Sequence, residues 1–351
     1  MKNASDAPQQ PTIREHFKGA ADYMPEDNNS VFPQGLELRE AESAEIISLM
    51  DNSVDYLSTI QKAEVKNFRE WTKRHFTLPI AEHGFSMLVR VYDGNKLHSI
   101  LFDAGVSPNG VVTNARRMGI SLAEIDGVVL SHGHYDHFGG LPAVVKALQK
   151  DALPIIVHED MFQARGVANT DGTIRKYPLF PTEEKVKPAK YVKTKRPYLL
   201  ADNLILVTGE IPRKTSFEKG YPSHRAFVNG QWHPDPWIWD DRALVIKLKR
   251  KGLVIVSGCA HAGIINTTLY AQQLTGTKTV YAVLGGFHLA GKENEPNINQ
   301  TVKELKKINP KLVAPSHCTG WRGIYAIAEA MPKAFVWNSV GNLYNFKHNK
   351  T

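Results

Sequence analysis

A run of histidines that directly follows an apolar strand is the feature that most constrains this chain. Residues 125–130, Ile-Asp-Gly-Val-Val-Leu, are rich in β-branched side chains and end at Ser-His-Gly, which predicts a short buried strand. After it come four potential metal ligands within six residues: His132, His134, Asp136 and His137. Side chains two apart leave a strand end on the same side, so His132 and His134 can bind one ion together. Asp136 and His137 fall on the following turn and can reach a second ion.

The donor types of this run indicate which metals it suits. Neutral imidazole favours zinc, and a carboxylate oxygen favours the harder member of a metal pair. We therefore predict a cofactor of one or two zinc ions, with manganese or iron as alternatives. Four polar residues on a surface loop with no joint task are the other interpretation, and the clustering after a strand disfavours it.

Three further apolar runs also end in loops that carry a histidine. Small residues in these loops allow the backbone to approach a site closely. We predict that the histidines after the first and third runs are metal ligands. The histidine after the second run either donates a proton to the substrate or packs beneath the site. The runs are 252–256, 280–284 and 311–314, and the histidines are His261, His288 and His317 in that order.

The run 132–137 has an H-x-H-x-D-H signature and resembles the metallo-β-lactamase fold superfamily. The resemblance implies an α/β protein, a four-layered αβ/βα sandwich with metals at the sheet edges. The resemblance covers about residues 44–345. Within the superfamily, this stretch is similar to one branch, which includes an archaeal pterin enzyme. The motifs that carry it are Gly-Glu-Ile-Pro-Arg at 209–213, Gly-Cys-Ala-His at 258–261, Gly-Gly-Phe-His-Leu at 285–289 and Pro-Ser-His-Cys-Thr-Gly at 315–320.

The resemblance also implies roles for Asp103 and Cys259. Asp103 belongs to an Asp-x-Gly that lies beneath the metal site in this superfamily, where it would accept the second N–H of a ligand histidine. Capping of the following turn is the alternative. Cys259 stands where the superfamily has an aspartate that bridges the two metals. Either its thiolate binds one or both ions, or it is an inert packing residue.

The rest of the chain divides into an arm and a domain. Residues 1–43 are polar without a sustained period and predict an extended or partly ordered arm, and residues 44–351 form the domain. The apolar spacing of residues 47–68 fits either one long amphipathic helix or a strand over 45–50 that ends at a turn. The resemblance implies the strand, with a helix from near Ser53 to about Lys73. We also predict a hairpin around 93–95 and a helix over 109–118. Residues 160–240 are a lid-like insertion, of which 160–200 is predicted to be a long loop.

The insertion mixes basic and aromatic side chains, which suits an anionic substrate that carries a ring. Arg165, Arg175 and Arg213 are predicted to face that substrate, because guanidinium groups bind phosphate and carboxylate bidentately. Asp136 is predicted to hold the second metal and to orient the attacking water, and His288 to protonate the leaving group.

Two functions are consistent with these features. The first is a metal-dependent hydrolase or related transferase that acts on a small anionic substrate, with phosphorylated and pterin-like compounds as candidates. The second is a nucleic-acid phosphodiesterase, which the formal charge of +8 favours. The basic residues are dispersed and form no RNA-binding module, so nucleic acid is the less favoured partner.

Composition bears on the location of the protein. No apolar stretch has membrane-spanning length, and the first residues lack the apolar core of a secretory signal. Cys259 and Cys318 are too far apart in sequence to indicate a redox or zinc pair. A cytoplasmic location follows, whereas the oligomeric state is not encoded in any pattern.

Overall fold

Two β-sheets pack face to face at the centre of the protein, in a computed structural model that describes residues 37–74 and 77–347. The strands are β1 Glu40–Ala41, β2 Ser43–Met50, β3 Val65–Lys66, β4 Ser86–Asp93, β5 Lys96–Phe102, β6 Gly127–Val129, β7 Pro154–Val157, β8 Ala164–Ala168, β9 Ile174–Lys176, β10 Lys190–Lys193, β11 Tyr198–Leu200, β12 Ile205–Val207, β13 His224–Val228, β14 Gln231–Pro234, β15 Ala243–Leu248, β16 Gly252–Ser257, β17 Val280–Gly286, β18 Leu312–Ser316 and β19 Leu343–Asn345. The α-helices are α1 Phe68–Thr72, α2 Gly110–Met118, α3 Tyr135–Phe138, α4 Leu141–Leu148, α5 Glu183–Val186, α6 Ile264–Thr275, α7 Ile298–Ile308 and α8 Gly320–Ala330.

The first sheet has the order β10-β7-β6-β5-β4-β2-β19-β3, and the second has the order β11-β12-β15-β16-β17-β18, with β1 also paired to β15. Apolar side chains of both sheets, such as Val89 and Phe102 from one and Leu244 and Val254 from the other, meet in a shared buried core. The outer face of the first sheet packs on α2 and α4. Helices α6 and α8 lie against β16 and β18 of the second. The predicted αβ/βα sandwich is confirmed.

The parallel strands decide where the polar loops gather. In the first sheet β5, β6 and β7 run parallel, and in the second β16, β17 and β18 do so. Because parallel strands have their carboxyl ends on the same edge, each of these strands delivers its following loop to one side of the sheet. The histidine loops after β6, β16, β17 and β18 meet there.

The predicted helix from Ser53 to Lys73 is wrong over most of its length. Only α1 is helical, and Asn67 caps its N-terminus by forming a reciprocal capping box with Glu70. Upstream, the side chain of Asp55 accepts the backbone N–H of Leu57 and of Ser58. Such local bonds compete with helical hydrogen bonding and keep the segment irregular despite its apolar spacing.

The insertion is also more regular than predicted. Residues 160–200 are not a long loop, since they contain β8, β9, α5, β10 and β11. Strands β8 and β9 join β13 and β14 in a small antiparallel sheet of order β14-β13-β8-β9, which we call the lid sheet. Strand β10 extends the first main sheet beside β7, and β11 extends the second beside β12. The strands are too short for an alternating pattern to stand out among the prolines.

The boundary of the predicted arm lies a few residues too far along the chain. Glu40 and Ala41 pair with Lys247 and Leu248 and so belong to the second sheet. The remainder of the arm, residues 1–36, lies outside the described residues. Within 37–74 and 77–347, no helix has both the length and the apolar character needed to cross a membrane.

A carboxylate from the insertion caps the N-terminus of α6. Glu218 accepts the backbone N–H of Ile265 and of Asn266, each at 2.8 Å, and the hydroxyl of Thr215 at 2.9 Å. Burial raises the pKa of Glu218 to about 7, because the loss of water outweighs these hydrogen bonds.

We expect Glu218→Gln to change how stability depends on pH. The unfolded carboxyl ionises near its ordinary pKa of 4.5, whereas the folded one keeps its proton to about pH 7. The contribution of Glu218 to the free energy of unfolding should therefore fall as pH rises through this window, by about 3 kcal/mol at most. Denaturant unfolding at several pH values measures the difference between wild type and variant. The exposed Glu184→Gln serves as a control, and a pH-independent difference for Glu218→Gln contradicts the prediction.

Candidate metal centre

Three buried histidines direct one ring nitrogen each at a common point. The Nε2 of His132 lies 3.0 Å from the Nδ1 of His134, and the Nε2 of His261 lies 3.2 and 3.1 Å from these two atoms. Burial lowers the pKa of all three side chains, and the positive charge of neighbouring histidines lowers it further. The rings are therefore neutral, which is the form that binds metal.

These distances fit an ion better than they fit hydrogen bonds. A neutral imidazole has a single proton, so three such nitrogens cannot all bond to one another. Tetrahedral zinc with Zn–N bonds of about 2.0–2.1 Å would separate its nitrogen ligands by roughly 3.3 Å. The three histidines, which we call the first ligand set, match that spacing.

A second ligand set lies beside the first. It comprises Asp136, His137, Cys259 and His317, whose donor atoms all lie within 4.8 Å of one another. The Oδ2 of Asp136 is 3.2 Å from the Nε2 of His317, and the Nε2 of His137 is 3.1 Å from the Sγ of Cys259. Ring centroids of His132 and His137 are 4.2 Å apart, which places the two sets next to each other.

The second ligand set retains protons that the first does not. Burial by itself lowers the pKa of His317, but the ion pair with Asp136 and other nearby negative charge raise it to about 9. Burial and the contact with Cys318 raise the pKa of the Cys259 thiol. Burial alone would raise the pKa of Asp136, yet the adjacent histidines hold it well below its usual range. An ion entering this set must displace protons.

Asp103 and Ser131 orient a ligand of each set. The Nδ1–H of His137 donates to Asp103 at 2.7 Å, which leaves Nε2 free to face the second set. The Ser131 hydroxyl donates to Asp103 at 2.7 Å and accepts the Nδ1–H of His132 at 2.9 Å. Asp103 thus lies where the sequence predicts a partner for a ligand histidine.

His288 flanks the first ligand set. Its ring centroid is 4.1 Å from that of His261 and 5.4 Å from that of Tyr221. The side chain is half-buried, and its Nδ1 has no hydrogen-bond partner among the described residues. Cys259, His261 and His288 also form a group of potential ligands.

The three arginines predicted to face a substrate lie in different surroundings. Arg165 is buried and makes a bidentate ion pair with Asp240 at 2.7 and 2.8 Å. Arg213 donates to the backbone carbonyls of Ile211, Trp237 and Ile238, and its guanidinium carbon lies 4.7 Å from the Trp239 ring centroid. These protein partners disfavour the predicted substrate contacts of Arg165 and Arg213. Arg175 alone is exposed, and its guanidinium lies over the Tyr177 ring.

Sequence reasoning missed residues that contact the two ligand sets. His224 on β13 is fully buried, and its Nε2 is 3.0 Å from the Nε2 of His134. His83 lies 3.7 Å from Asp136 and its ring stacks on His317. Neither residue belongs to a spaced motif. Cys318 does, but only the fold shows that its Sγ lies 3.4 Å from the carbonyl oxygen of Cys259.

Comparison with known proteins identifies the class. A family model for the metallo-β-lactamase superfamily matches residues 80–265. The crystal structure of a metal-dependent hydrolase of the β-lactamase superfamily has a TM-score of 0.67 and 22% identity, and the match covers 87% of this chain and all of that one. The chain belongs to the metallo-β-lactamase superfamily and is an enzyme of that superfamily.

Two archaeal proteins from Methanocaldococcus jannaschii are more similar in sequence. One is named 7,8-dihydropterin-6-methyl-4-(β-D-ribofuranosyl)-aminobenzene-5′-phosphate synthase and is 33% identical over 274 residues, which cover 76% of this chain and 90% of that protein. The other, an uncharacterized protein, is 32% identical over 269 residues, which cover 75% of this chain and 93% of that protein.

The unequal proton content of the two sets predicts unequal pH dependence of metal binding. Below its pKa of about 9, His317 is protonated, so affinity for the second ion should rise with pH until that proton is lost. From about pH 6.5 to about pH 8.5 we expect roughly a tenfold gain per pH unit for each proton displaced. Affinity for the first ion should change far less, because its three histidines are already neutral.

Stepwise titration with zinc against a chromophoric chelator measures both affinities, and the first ion serves as the internal reference. Parallel pH dependence of the two would contradict the assignment of the proton to the second ligand set.

Proposed function

We propose that the protein is a metal-dependent hydrolase, or a related transferase, that acts on a small anionic substrate. Phosphorylated and pterin-like compounds are the candidate substrates. The observation that carries the proposal is the pair of adjacent ligand sets, one made of three histidines and the other of mixed oxygen, nitrogen and sulfur donors. The enzyme name of the archaeal relative supports the pterin-like candidates.

Zinc is the proposed metal, with manganese or iron as alternatives, because the donor set is dominated by neutral imidazole. Bound at these two sets, divalent ions would supply Lewis acidity and make water a nucleophile near neutral pH. His132, His134 and His261 would hold one ion. Asp136, His137, Cys259 and His317 would hold the other.

Two side chains of the chain itself carry the proposed proton chemistry. Within the second ligand set the Oδ2 of Asp136 lies 3.2 Å from the Nε2 of His317, and its carboxylate would hold the second ion and orient the attacking water. His288 flanks the first set with an Nδ1 that has no partner in the described part of the chain. That nitrogen would hold the proton that the leaving oxygen receives.

The lid sheet supports the proposed substrate class. Tyr177, just after β9, packs edge-on to His134 at 5.3 Å, and Tyr221 stacks parallel to His261 at 6.4 Å. Together the two rings cover the first ligand set with aromatic surface. Arg175 beside Tyr177 adds an exposed positive charge. Aromatic surface next to a guanidinium suits a flat, anionic compound.

The function is tested by metal analysis combined with activity screening. We expect the purified enzyme to contain one to two transition-metal ions, and His132→Ala together with His134→Ala to remove the first. Metal-loaded wild type should act on phosphodiester, lactone or pterin compounds and lose that activity with a chelator. Unchanged metal content in the double variant would contradict the assignment of these two histidines as ligands. A steep salt dependence of RNA binding would instead favour a nucleic-acid substrate.

A matched pair of variants separates substrate binding from metal binding in the same screen. Arg175→Ala should raise KM for an anionic substrate and leave metal content unchanged. Lys176→Ala removes a neighbouring exposed charge on β9 and should leave KM close to that of wild type. Equal effects of the two substitutions would indicate only a general contribution of surface charge.

We further propose that Cys259 is a ligand of the second ion. Support comes from its Sγ, which lies within the second ligand set next to the Nε2 of His137. A thiol beside divalent cations is deprotonated and can bind them, whereas serine binds zinc poorly. The alternative is that Cys259 only packs beneath the end of β16.

Cys259→Ser is expected to lose the second ion and keep the first. Cys318→Ser, which changes the neighbouring buried thiol, is expected to keep both. Elemental analysis and stepwise titration measure the outcome. If Cys259 only packs, the variant should retain full metal content and activity with stability lowered by roughly 1–2 kcal/mol, as for an ordinary core substitution.

A cytoplasmic location is part of the proposal. It is supported by the two buried cysteines, which are both free thiols, as is usual in a reducing compartment.

A further inference from the structure

His224 connects the lid sheet to the first ligand set. It is the first residue of β13, and its ring is fully buried between two polar partners. Its Nε2 lies 3.0 Å from the Nε2 of His134, and its Nδ1 lies 2.9 Å from the carbonyl oxygen of Asp235. The Nε2 of His134 is the ring nitrogen that points away from the first set, because Nδ1 faces His132 and His261.

The carbonyl oxygen of Asp235 settles the direction of these hydrogen bonds. A carbonyl can only accept, so the Nδ1 of His224 must carry a proton and donate it. In the neutral form of His224 the ring has no second proton, so its Nε2 accepts and the Nε2–H of His134 donates. The remaining nitrogen of His134, Nδ1, then has no proton and presents its lone pair to the first ligand set.

We propose that His224, held by Asp235, is a positioning residue that fixes His134 in the tautomer able to bind a metal through Nδ1. The inference rests on the proposed metal centre. It adds that the lid sheet, which the proposed function assigns to substrate binding, also contributes to metal affinity. Asp235 strengthens this link, because its backbone N–H donates to the carbonyl of His224 and its Oδ2 lies 3.2 Å from Nδ1. Both residues therefore lie together at the open end of the β13–β14 hairpin.

Two substitutions at His224 separate hydrogen bonding from packing. His224→Phe keeps a ring but cannot accept a hydrogen bond, whereas His224→Gln places an amide oxygen near the position of Nε2. We expect His224→Phe to weaken binding of the first ion by about tenfold to a hundredfold, the effect usual for losing such an outer partner of a ligand. His224→Gln should restore most of the affinity. His233→Gln, at an exposed position on β14, is the matched control and should bind like wild type.

Competition of cobalt(II) with a chromophoric chelator measures the affinity, and the absorption spectrum of bound cobalt(II) reports whether His134 still binds. Wild-type affinity and spectrum in His224→Phe overturn the inference. The same titration of His132→Ala tests the metal centre itself, so loss of the first ion there with no effect in His224→Phe rejects only the role of His224. If His132→Ala also binds normally, the proposed function fails instead.

A measurement on the wild type covers the case in which His224→Phe does not fold. Selective nitrogen-15 labelling of histidine reports the protonated ring nitrogen of each side chain by NMR. In the zinc-loaded protein we expect His224 with its proton on Nδ1 and His134 with its proton on Nε2. A proton on both nitrogens of His224, or on Nε2 alone, rules out the proposed chain of hydrogen bonds.

Discussion

The carboxylate of Asp103 is the group on which the arrangement of both ligand sets depends. It accepts the backbone N–H and the hydroxyl of Ser131 and the Nδ1–H of His137, each at 2.7 Å. These bonds join the end of β5 to the loop after β6 and orient one histidine in each set. Gly258 brings the second sheet into the same contact, since a Cβ there would lie 2.8 Å from Asp103 and 2.1 Å from Ser131. Any larger residue would push the loop that carries Cys259 and His261 away from the first sheet.

Burial makes this arrangement suited to binding a metal ion, at a cost to the protein alone. Histidines deprived of water are neutral, as the lowered pKa values of His132, His134 and His261 indicate. Their converging lone pairs are unfavourable for the protein alone, and a cation relieves that repulsion. Around them, buried charges are compensated inside the protein: Arg165 pairs with Asp240, and their mutual attraction holds the pKa of Asp240 at about 2 despite the burial that opposes ionisation.

The site residues that could be predicted from the sequence are those that directly follow a predicted strand. His132, His261 and His317 were predicted as ligands because each follows an apolar run in a histidine-bearing loop. The structure brings these three side chains to the two ligand sets, because the strands that precede them run parallel within their own sheets. His224 could not be found this way, because it begins an antiparallel strand of the lid sheet and reaches His134 only through the folding of the insertion. Arg165 shows that a residue predicted to bind substrate can instead have a partner inside the protein. Its charge indicated an anionic partner, and only the structure shows that the partner is Asp240.

The chain segment that forms the lid sheet also supplies strands to both main sheets, and this limits how the sequence of that segment can vary. Between β8 and β13 the chain passes through β10, which extends one main sheet, and β11, which extends the other. Removing the insertion would take β10 from the first sheet and both β11 and β12 from the second, and would expose unpaired backbone groups. Diversification within this branch is therefore expected to proceed by exchange of single side chains, such as those at positions 175, 177 and 221, and not by gain or loss of whole segments. The same attachment makes the insertion a poor place to graft a foreign loop.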